Sequence, residues 1–223
     1  SRNTATFKKD GKKVVTNTPL KCAEHREDFS VSMKMETYPN RDSLVFMDRF
    51  GMNDCETFIR GTLRFTGFSS IISAFHDIGL TSDDPAHSSV INLRTLLESR
   101  LQGVHKNNSS GGAGAQSLID QAVSALLTEE RDQTLMKRAL ARVDFSFIHG
   151  ADRLAYAIKG IVKTMIFLGF FDDEQKVKGD GRPCLDVLGD VMAVKLGMDE
   201  HDRDLVVMRH IFHLVDPATN HRW

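Results

Sequence analysis

Three arginines and several small hydroxyl residues lie in two short segments of the chain. Residues 38–43 read Tyr-Pro-Asn-Arg-Asp-Ser, and residues 60–65 read Arg-Gly-Thr-Leu-Arg-Phe. A guanidinium group stays charged at any working pH and matches a carboxylate through two parallel charge-assisted hydrogen bonds. The two segments therefore predict a binding site for an acidic small molecule.

The second segment has the alternation of a β-strand. Over residues 57–65 one face is mostly apolar and the other polar: Ile59, Gly61, Leu63 and Phe65 against Arg60, Thr62 and Arg64. On such a strand the α-carbons of Arg60 and Arg64 are about 13 Å apart, at about 3.3 Å per residue. The two guanidinium groups could grip the ends of an extended polyacid.

Arg41 follows Pro39 and Asn40, which restrict and turn the chain. We therefore expect Arg41 on a loop at the end of a strand, where ligand contacts gather. The alternative is an ordinary solvated strand face, on which each arginine makes a weak surface ion pair. Spacing alone does not decide between these two interpretations.

Further strands are predicted at both ends of the chain. Asp10-Gly11 between two strand-like runs predicts a tight hairpin over residues 7–15. Strict alternation over residues 29–36 predicts a half-buried strand, with Phe29, Val31, Met33 and Met35 on its apolar face. Residues 205–213 are again rich in β-formers.

The middle of the chain has helical periodicity. Helices are predicted over 68–78 with Gly79 as C-cap, and over 90–101, 118–127, 134–142, 154–168 and 185–196. Pro183 suits the first turn of the last of these. The polar, glycine-rich stretch 105–114 is predicted to be an exposed, mobile linker or insertion.

These elements predict an α+β fold. An antiparallel or mixed sheet, whose terminal strands pair, is expected from residues 1–80 and 200–223, with an all-helical subdomain inserted over residues 81–199.

Composition narrows the class of partner. The 29 Lys and Arg nearly balance the 30 Asp and Glu, so neither nucleic acid nor an anionic membrane is an expected partner. The apolar stretch 161–171 is interrupted by Lys163 and Gly169 and is shorter than the roughly 20 residues of a membrane helix. Three cysteines without a CxxC pair favour a reducing compartment, which could be cytoplasmic or mitochondrial.

The sequence lacks the common nucleotide-binding motifs and has one cluster of histidines. The chain contains neither GxGxxG after a strand nor GxxxxGK[ST], so no cofactor-binding residue is expected in it. His210 and His213 form an HxxH pair with His201 and His221 nearby, but on a strand the first two point to opposite faces, so no metal site is expected. Cys184 is interpreted as a small core residue rather than an activated thiol.

The two arginine segments also resemble the glutamate-forming saccharopine dehydrogenase family, the carboxy-terminal half of bifunctional aminoadipic semialdehyde synthase. The resemblance lies in residues 38–43, 60–68 and 78–80, with looser support from 166–170, 183–186 and 200–208. It covers most of residues 11–216. Two segments depart from the family pattern: 106–114 looks like an insertion, and 16–19 lacks a glycine-rich turn.

The resemblance implies a substrate-binding and dimerisation domain, similar to the carboxy-terminal domain of glyceraldehyde-3-phosphate dehydrogenase. The parent enzyme would be an NAD(P)-dependent oxidoreductase acting on a CH–NH donor, and its Rossmann domain, which would bind NADP or NAD, would lie outside this sequence. Carried over at matching positions, Arg41, Thr62, Leu63 and Arg64 would contact saccharopine, which has three carboxylates. The implied partners are saccharopine or glutamate, the Rossmann domain and a second copy, and no catalytic residue falls within this chain.

Two alternatives stay open at this point. The chain could be a scaffold or dimerisation module that kept the fold and lost the ligand, in which case no glycine-rich strand-turn-helix would precede it. It could also belong to a related reductase with another amino-acid-derived substrate. A substrate that lacks one carboxylate would separate that reductase from the saccharopine enzyme.

Overall fold

The described residues hold five short strands and seven α-helices, in agreement with the α+β class. A computed structural model describes residues 4–26, 30, 32–87, 89–102, 112–216 and 218–219. The strands are β1 (Ala5–Lys9), β2 (Lys12–Thr16), β3 (Glu24–Arg26), β4 (Met35–Pro39) and β5 (Gly61–Phe65). The helices are α1 (Leu44–Arg49), α2 (Phe68–Ile78), α3 (Leu93–Arg100), α4 (Gly112–Leu126), α5 (Glu130–Leu140), α6 (Ala151–Leu168) and α7 (Cys184–Lys195), and a 3₁₀ turn spans Pro19–Cys22.

The predicted hairpin is confirmed. β1 and β2 are antiparallel, and Lys9 pairs with Lys12 across the turn. Asp10 and Gly11 both have positive φ, at 50° and 75°. This is the backbone of a type I′ turn, whose twist matches that of the flanking strands.

The second sheet is antiparallel in the order β3-β4-β5. Its register sets Glu36 opposite Arg64 and Tyr38 opposite Thr62. Directly opposed residues of an antiparallel ladder point to the same side, so these four side chains share one face. Within the described sheet β5 is an edge strand.

Two strand predictions had the wrong bounds. Arg26 pairs with Met35, so the intervening chain connects β3 to β4 and residues 32–34 form no strand; Phe29 and Val31 lie outside the described residues. β5 begins at Gly61 rather than at residue 57, because residues 56–58 bond to the hairpin instead of to β4. The Lys8 amide, for example, donates to the Phe58 carbonyl at 3.2 Å.

The prediction of a strand over residues 205–213 is wrong. Residues 202–214 form no strand, and Leu205, Val206 and Met208 are at least 77% exposed. A strand needs a partner for its backbone groups, and no described segment pairs with this one. The terminal strands therefore do not pair in the described part of the chain, whereas the domain boundaries near residues 80 and 200 stay predictions.

The predicted helices are confirmed, with shifted ends. α3 begins at Leu93 because Asn92 and Thr95 form a capping box: Asn92 Oδ1 accepts from the Thr95 amide at 2.9 Å, and Thr95 Oγ1 accepts from the Asn92 amide at 3.2 Å. α4 includes residues 112–114 of the predicted linker, and residues 105–111 lie outside the described residues. Pro183 occupies the N-cap of α7 rather than its first turn.

One apolar core joins α2 to the later helices. Its largest fully buried side chains include Phe75, Leu96, Met136, Ile161, Met165 and Phe170. Phe75 comes from α2 and contacts Phe170 after α6, with ring centroids 6.2 Å apart. Since α2 follows β5 directly, the sheet that carries the predicted site residues is attached to the helical core.

A buried arginine joins three parts of the helical region. Arg94 on α3 is 7% exposed. It donates to Asp132 Oδ1 at 2.5 Å, to Asp173 Oδ1 at 2.6 Å and to the Phe171 carbonyl at 3.0 Å. Burial by itself lowers the pKa of Arg94, and the hydrogen bonds to the two carboxylates more than offset this effect and raise it. Arg94 is therefore charged, and each of its three nitrogens donates a hydrogen bond.

A lysine joins the first part of the chain to the helices. Lys21 in the 3₁₀ turn places Nζ 2.9 Å from Asp144 Oδ2 and 3.4 Å from Asp77 Oδ2. Asp77 belongs to α2, and its carboxylate also accepts the Asp144 amide at 3.0 Å. The three residues tie the 3₁₀ turn to α2 and to the segment between α5 and α6. None of the helices in the described ranges is long and apolar enough to cross a membrane.

Replacement of Arg94 by methionine should lower the free energy of unfolding by about 3 to 5 kcal/mol. The buried Asp132 would lose its hydrogen-bonded counter-ion and keep only the ion pair with Arg131, whose Nε is 3.6 Å from Asp132 Oδ1. Urea titration of the chain measures this difference. Arg131→Ala is the matched control: Arg131 also contacts Asp173, but its side chain is 58% exposed, so its loss should cost at most about 1 kcal/mol. Equal losses in the two variants would contradict this account of the network.

Asp173→Asn should change the pH dependence of stability. The hydrogen bond from Arg94 lowers the pKa of Asp173; burial opposes this effect, and the charges of Arg94 and Arg131 add to it. A carboxylate with a lowered pKa stabilises the fold above the unfolded value of about 3.9 and loses that contribution as pH falls through the folded value. Urea titrations should show a constant difference from wild type above about pH 5 that shrinks below about pH 4. A difference that grows on acidification would contradict this assignment.

Candidate functional site

Arg41 lies on the loop that leaves β4, as predicted. Its φ of 53° falls in the left-handed region, which arginine rarely adopts. The loop is held by the hairpin, because the Thr6 amide donates to the Arg41 carbonyl at 2.9 Å and the Ser43 amide donates to the Thr6 carbonyl at 2.8 Å. The Arg41 side chain is exposed, and no carboxylate in the described part of the chain pairs with it. A fixed backbone therefore presents a solvated guanidinium.

Arg60 does not share the predicted strand face. It precedes β5, and its amide donates to Ser43 Oγ at 3.0 Å. Its guanidinium carbon lies 3.6 Å from the centroid of the Phe46 ring, and Arg49 lies over the same ring at 5.9 Å. Arg60 is thus packed on α1, and the prediction that it lies on the same strand as Arg64 is wrong. That the two arginines bind one ligand stays a prediction.

Thr62 and Arg64 do share a face of β5, as predicted. Thr62 is opposite Tyr38 and Arg64 is opposite Glu36. Leu63 points to the other side of the strand, and its carbonyl accepts a hydrogen bond from Arg64 Nη1 at 3.1 Å. The guanidinium is exposed and has no ion pair with a described carboxylate.

Glu36 is an unpredicted member of this group. It is 3% exposed, and its two oxygens accept from the first turn of α2: Oε2 from the Gly67 amide at 3.0 Å and Oε1 from the Ser69 amide at 2.6 Å. The positive end of a helix dipole favours a carboxylate at this place. The signal available in the sequence was an acidic residue on β4 and a Thr-Gly turn between β5 and a helix, but linking them requires the register of the sheet.

A stacked pair of aromatic rings includes one ring that contacts Arg64. Tyr38 on β4 and Phe68, the first residue of α2, are parallel to within 3°, with centroids 6.3 Å apart. The Arg64 guanidinium carbon is 5.2 Å from the Phe68 centroid, within the range of a cation–π contact. The face therefore offers a cation, a hydroxyl group from Thr62 and an apolar surface.

This arrangement suits an anionic ligand with an aliphatic portion. The charge of Glu36 is directed to the amides of α2, so it does not neutralise Arg64 through an ion pair. An exposed guanidinium with free donors can bind a carboxylate bidentately. The structure brings Thr62, Arg64 and the Leu63 carbonyl together, and places Arg41 beyond the far end of the β4–β5 ladder.

The two histidines of the HxxH pair and Cys184 lie outside this group. His210 and His213 are exposed, and His210 contacts Phe212 with ring centroids 6.3 Å apart. Across the described ranges no three His, Cys, Asp or Glu side chains form a group that could hold a metal ion. Cys184 is fully buried, as predicted for a core residue, and its sulfur accepts from Arg100 Nη1 at 3.5 Å.

Comparison with known proteins identifies the family. The sequence profile described as "Saccharopine dehydrogenase C-terminal domain" matches residues 1–222. The chain belongs to the saccharopine dehydrogenase C-terminal domain family. The resemblance read from residues 38–43 and 60–68 is thereby confirmed.

Relatives with curated names are enzymes. The chain is 27% identical over 217 residues to saccharopine dehydrogenase [NADP(+), L-glutamate-forming] of Pyricularia oryzae, covering 96% of this chain and 41% of that protein. It is 26% identical over 193 residues to the mitochondrial alpha-aminoadipic semialdehyde synthase of Bos taurus, covering 86% of this chain and 17% of that protein. The chain thus spans less than half the length of these relatives.

A solved structure shows a similar fold. The apo form of histidine-tagged saccharopine dehydrogenase (L-Glu forming) from Saccharomyces cerevisiae superposes with a TM-score of 0.53 at 26% identity, covering 86% of this chain and 36% of that one. The α+β architecture is therefore that of a saccharopine-dehydrogenase-type carboxy-terminal domain. The narrower likeness to glyceraldehyde-3-phosphate dehydrogenase stays a prediction.

Glu36→Ala should lower the free energy of unfolding by about 2 kcal/mol or more, because two amides at the start of α2 would lose their acceptor. Thermal and urea denaturation measure the loss. Glu24→Ala is the matched control on β3: its side chain is 56% exposed and forms only surface ion pairs, so the change should stay below about 1 kcal/mol. Glu36→Gln, which keeps one acceptor oxygen, should fall between the two. An Ala variant as stable as wild type would contradict the capping role.

Proposed function

We propose that this chain is the substrate-binding and dimerisation part of an enzyme that interconverts saccharopine with L-glutamate and 2-aminoadipate 6-semialdehyde in lysine metabolism. Family membership supports the class of reaction. The unpaired guanidinium of Arg64 beside Thr62, on one face of β5, is the observation that carries the assignment of the substrate site. Both residues stand at positions that match the family motif.

The reaction joins an oxidation to a hydrolysis. Hydride would leave the methylene carbon next to the secondary amine, which is the carbon that becomes the aldehyde, and NADP+ or NAD+ would accept it. Water then adds to the resulting imine and the carbon–nitrogen bond breaks, which releases the glutamate amine and the semialdehyde. The sequence contains neither GxGxxG after a strand nor GxxxxGK[ST], and we assign cofactor binding to another domain of the parent.

The residues of this chain bind and orient the substrate. Arg64 holds one carboxylate bidentately, Thr62 adds a hydroxyl group, and Leu63 contributes its backbone or an apolar contact. Arg41 holds a second carboxylate. Glu36 lies opposite Arg64, and Arg41 comes five residues after Glu36. The backbone positions of the two arginines are therefore separated by up to about 16 Å along the chain. This span suits saccharopine, an extended molecule with three carboxylates.

We also infer partners and a compartment for the parent enzyme. A homodimer, contact with a Rossmann domain of the same polypeptide, and a cytoplasmic or mitochondrial compartment remain predictions. The 223-residue chain should bind the substrate without catalysing its oxidation, because the groups that would perform chemistry lie outside it.

Arg41→Ala and Arg64→Ala in the full-length parent should each raise the KM for saccharopine by about 10- to 100-fold, because each removes a charge-assisted pair with a carboxylate. Arg64→Lys should fall between wild type and alanine, since a point charge loses the bidentate geometry. Reduction of NADP+ and of NAD+, followed by absorbance, measures the rates.

The control is Arg131→Ala, an exposed arginine of the helical region, which should leave KM within about 2-fold of wild type. If the folded parent binds the cofactor but oxidises a different amino-acid-derived substrate, that substrate takes the place of saccharopine in this proposal. A parent without dehydrogenase activity would favour the scaffold alternative. Unchanged KM in both Arg41→Ala and Arg64→Ala would move the substrate site elsewhere.

A further inference from the structure

We propose that Phe68 is a positioning residue, which orders the guanidinium of Arg64 before the substrate carboxylate arrives, and that Glu36 anchors Phe68 without neutralising Arg64. This inference rests on the proposed function, because it assigns Arg64 to a carboxylate of the substrate. It adds a residue that neither binds the carboxylate nor takes part in the chemistry.

Two contacts restrict the Arg64 side chain. Its guanidinium carbon is 5.2 Å from the centroid of the Phe68 ring, and its Nη1 donates to the Leu63 carbonyl at 3.1 Å. An exposed arginine loses rotamer freedom when it binds a ligand, and this loss weakens binding. A ring that already holds the guanidinium reduces that loss.

The Phe68 ring is itself fixed from two directions. Tyr38, which is 8% exposed, lies parallel to it at 6.3 Å. Phe68 is also the first residue of α2, whose first turn is held by the Glu36 carboxylate through the amides of Gly67 and Ser69. Glu36 therefore holds the first turn of α2, this turn places Phe68, and Phe68 contacts the guanidinium of Arg64.

The same bonds direct the Glu36 carboxylate to the start of α2 rather than to Arg64. The two residues are opposite each other in the β4–β5 ladder, where a glutamate and an arginine would ordinarily attract each other. Both Glu36 oxygens instead accept amides at the positive end of α2, which offsets the carboxylate charge. Arg64 thus remains available to an external carboxylate.

The test is a double-mutant cycle in the full-length parent. Phe68→Leu should raise the KM for saccharopine by about 3- to 10-fold and leave kcat within about 2-fold, since a positioning contact to a binding group is lost. In an Arg64→Ala background the same substitution should change KM by less than about 2-fold, because no guanidinium is left to position. Phe68→Tyr keeps a ring and should stay within about 2-fold of wild type.

The results distinguish positioning of Arg64 by Phe68 from a purely structural role of Phe68. Equal effects of Phe68→Leu on KM with and without Arg64, or an unchanged KM in an active enzyme, would overturn it. Circular dichroism and thermal melting check folding, and Phe68→Met, which conserves volume, carries the test if the leucine variant unfolds. A wild-type parent inert toward saccharopine would instead overturn the proposed function, and this inference with it.

Discussion

The buried carboxylate of Glu36 links the second sheet to helix α2, and the geometry of the candidate site depends on this link. Gly67, with φ of 101°, allows the chain to reverse from β5 into the helix within two residues. A Cβ at this position would lie 3.4 Å from Cε1 of Tyr156 on α6, an ordinary contact, so glycine is favoured by the backbone conformation. The carboxylate then bonds to two amides of the turn. Phe68 is placed beside Arg64 because the turn is fixed at both ends.

Helix α2 serves both the site and the core. Its first residue contacts Arg64, whereas Phe75 and Ile78 toward its end are almost fully buried among the later helices. Lys21 and Asp77 add an ionic link between this helix and the 3₁₀ turn. The position of the site face is therefore set by packing in the helical region, although none of the predicted binding residues lies there.

Local signals predicted much of this fold. Asp10-Gly11 encoded the hairpin, Gly79 ended α2 with φ of 91°, and the two-residue period placed Thr62 and Arg64 on one face. The predictions that were wrong or incomplete depend on contacts between residues that are distant in the sequence. Arg60 packs on Phe46 of α1, a helix that was not predicted. The role of Glu36 depends on sheet register, and residues 205–213 have β-forming side chains but no described partner strand. The family was predicted from resemblance to known sequences. The spacing of the arginines alone did not decide between a ligand site and an ordinary solvated strand face.

The backbone of Arg41 has a consequence for how such a sequence evolves. Asp10 and Asp180, the other described non-glycine residues with positive φ, are of a type that tolerates the left-handed region, but arginine is not. Selection for stability alone would favour glycine or asparagine at position 41. An arginine at a positive φ therefore supports the proposed use of its side chain in ligand binding. On the proposed function, relatives that no longer bind the ligand are expected to carry glycine or asparagine at position 41 and to gain stability from that replacement.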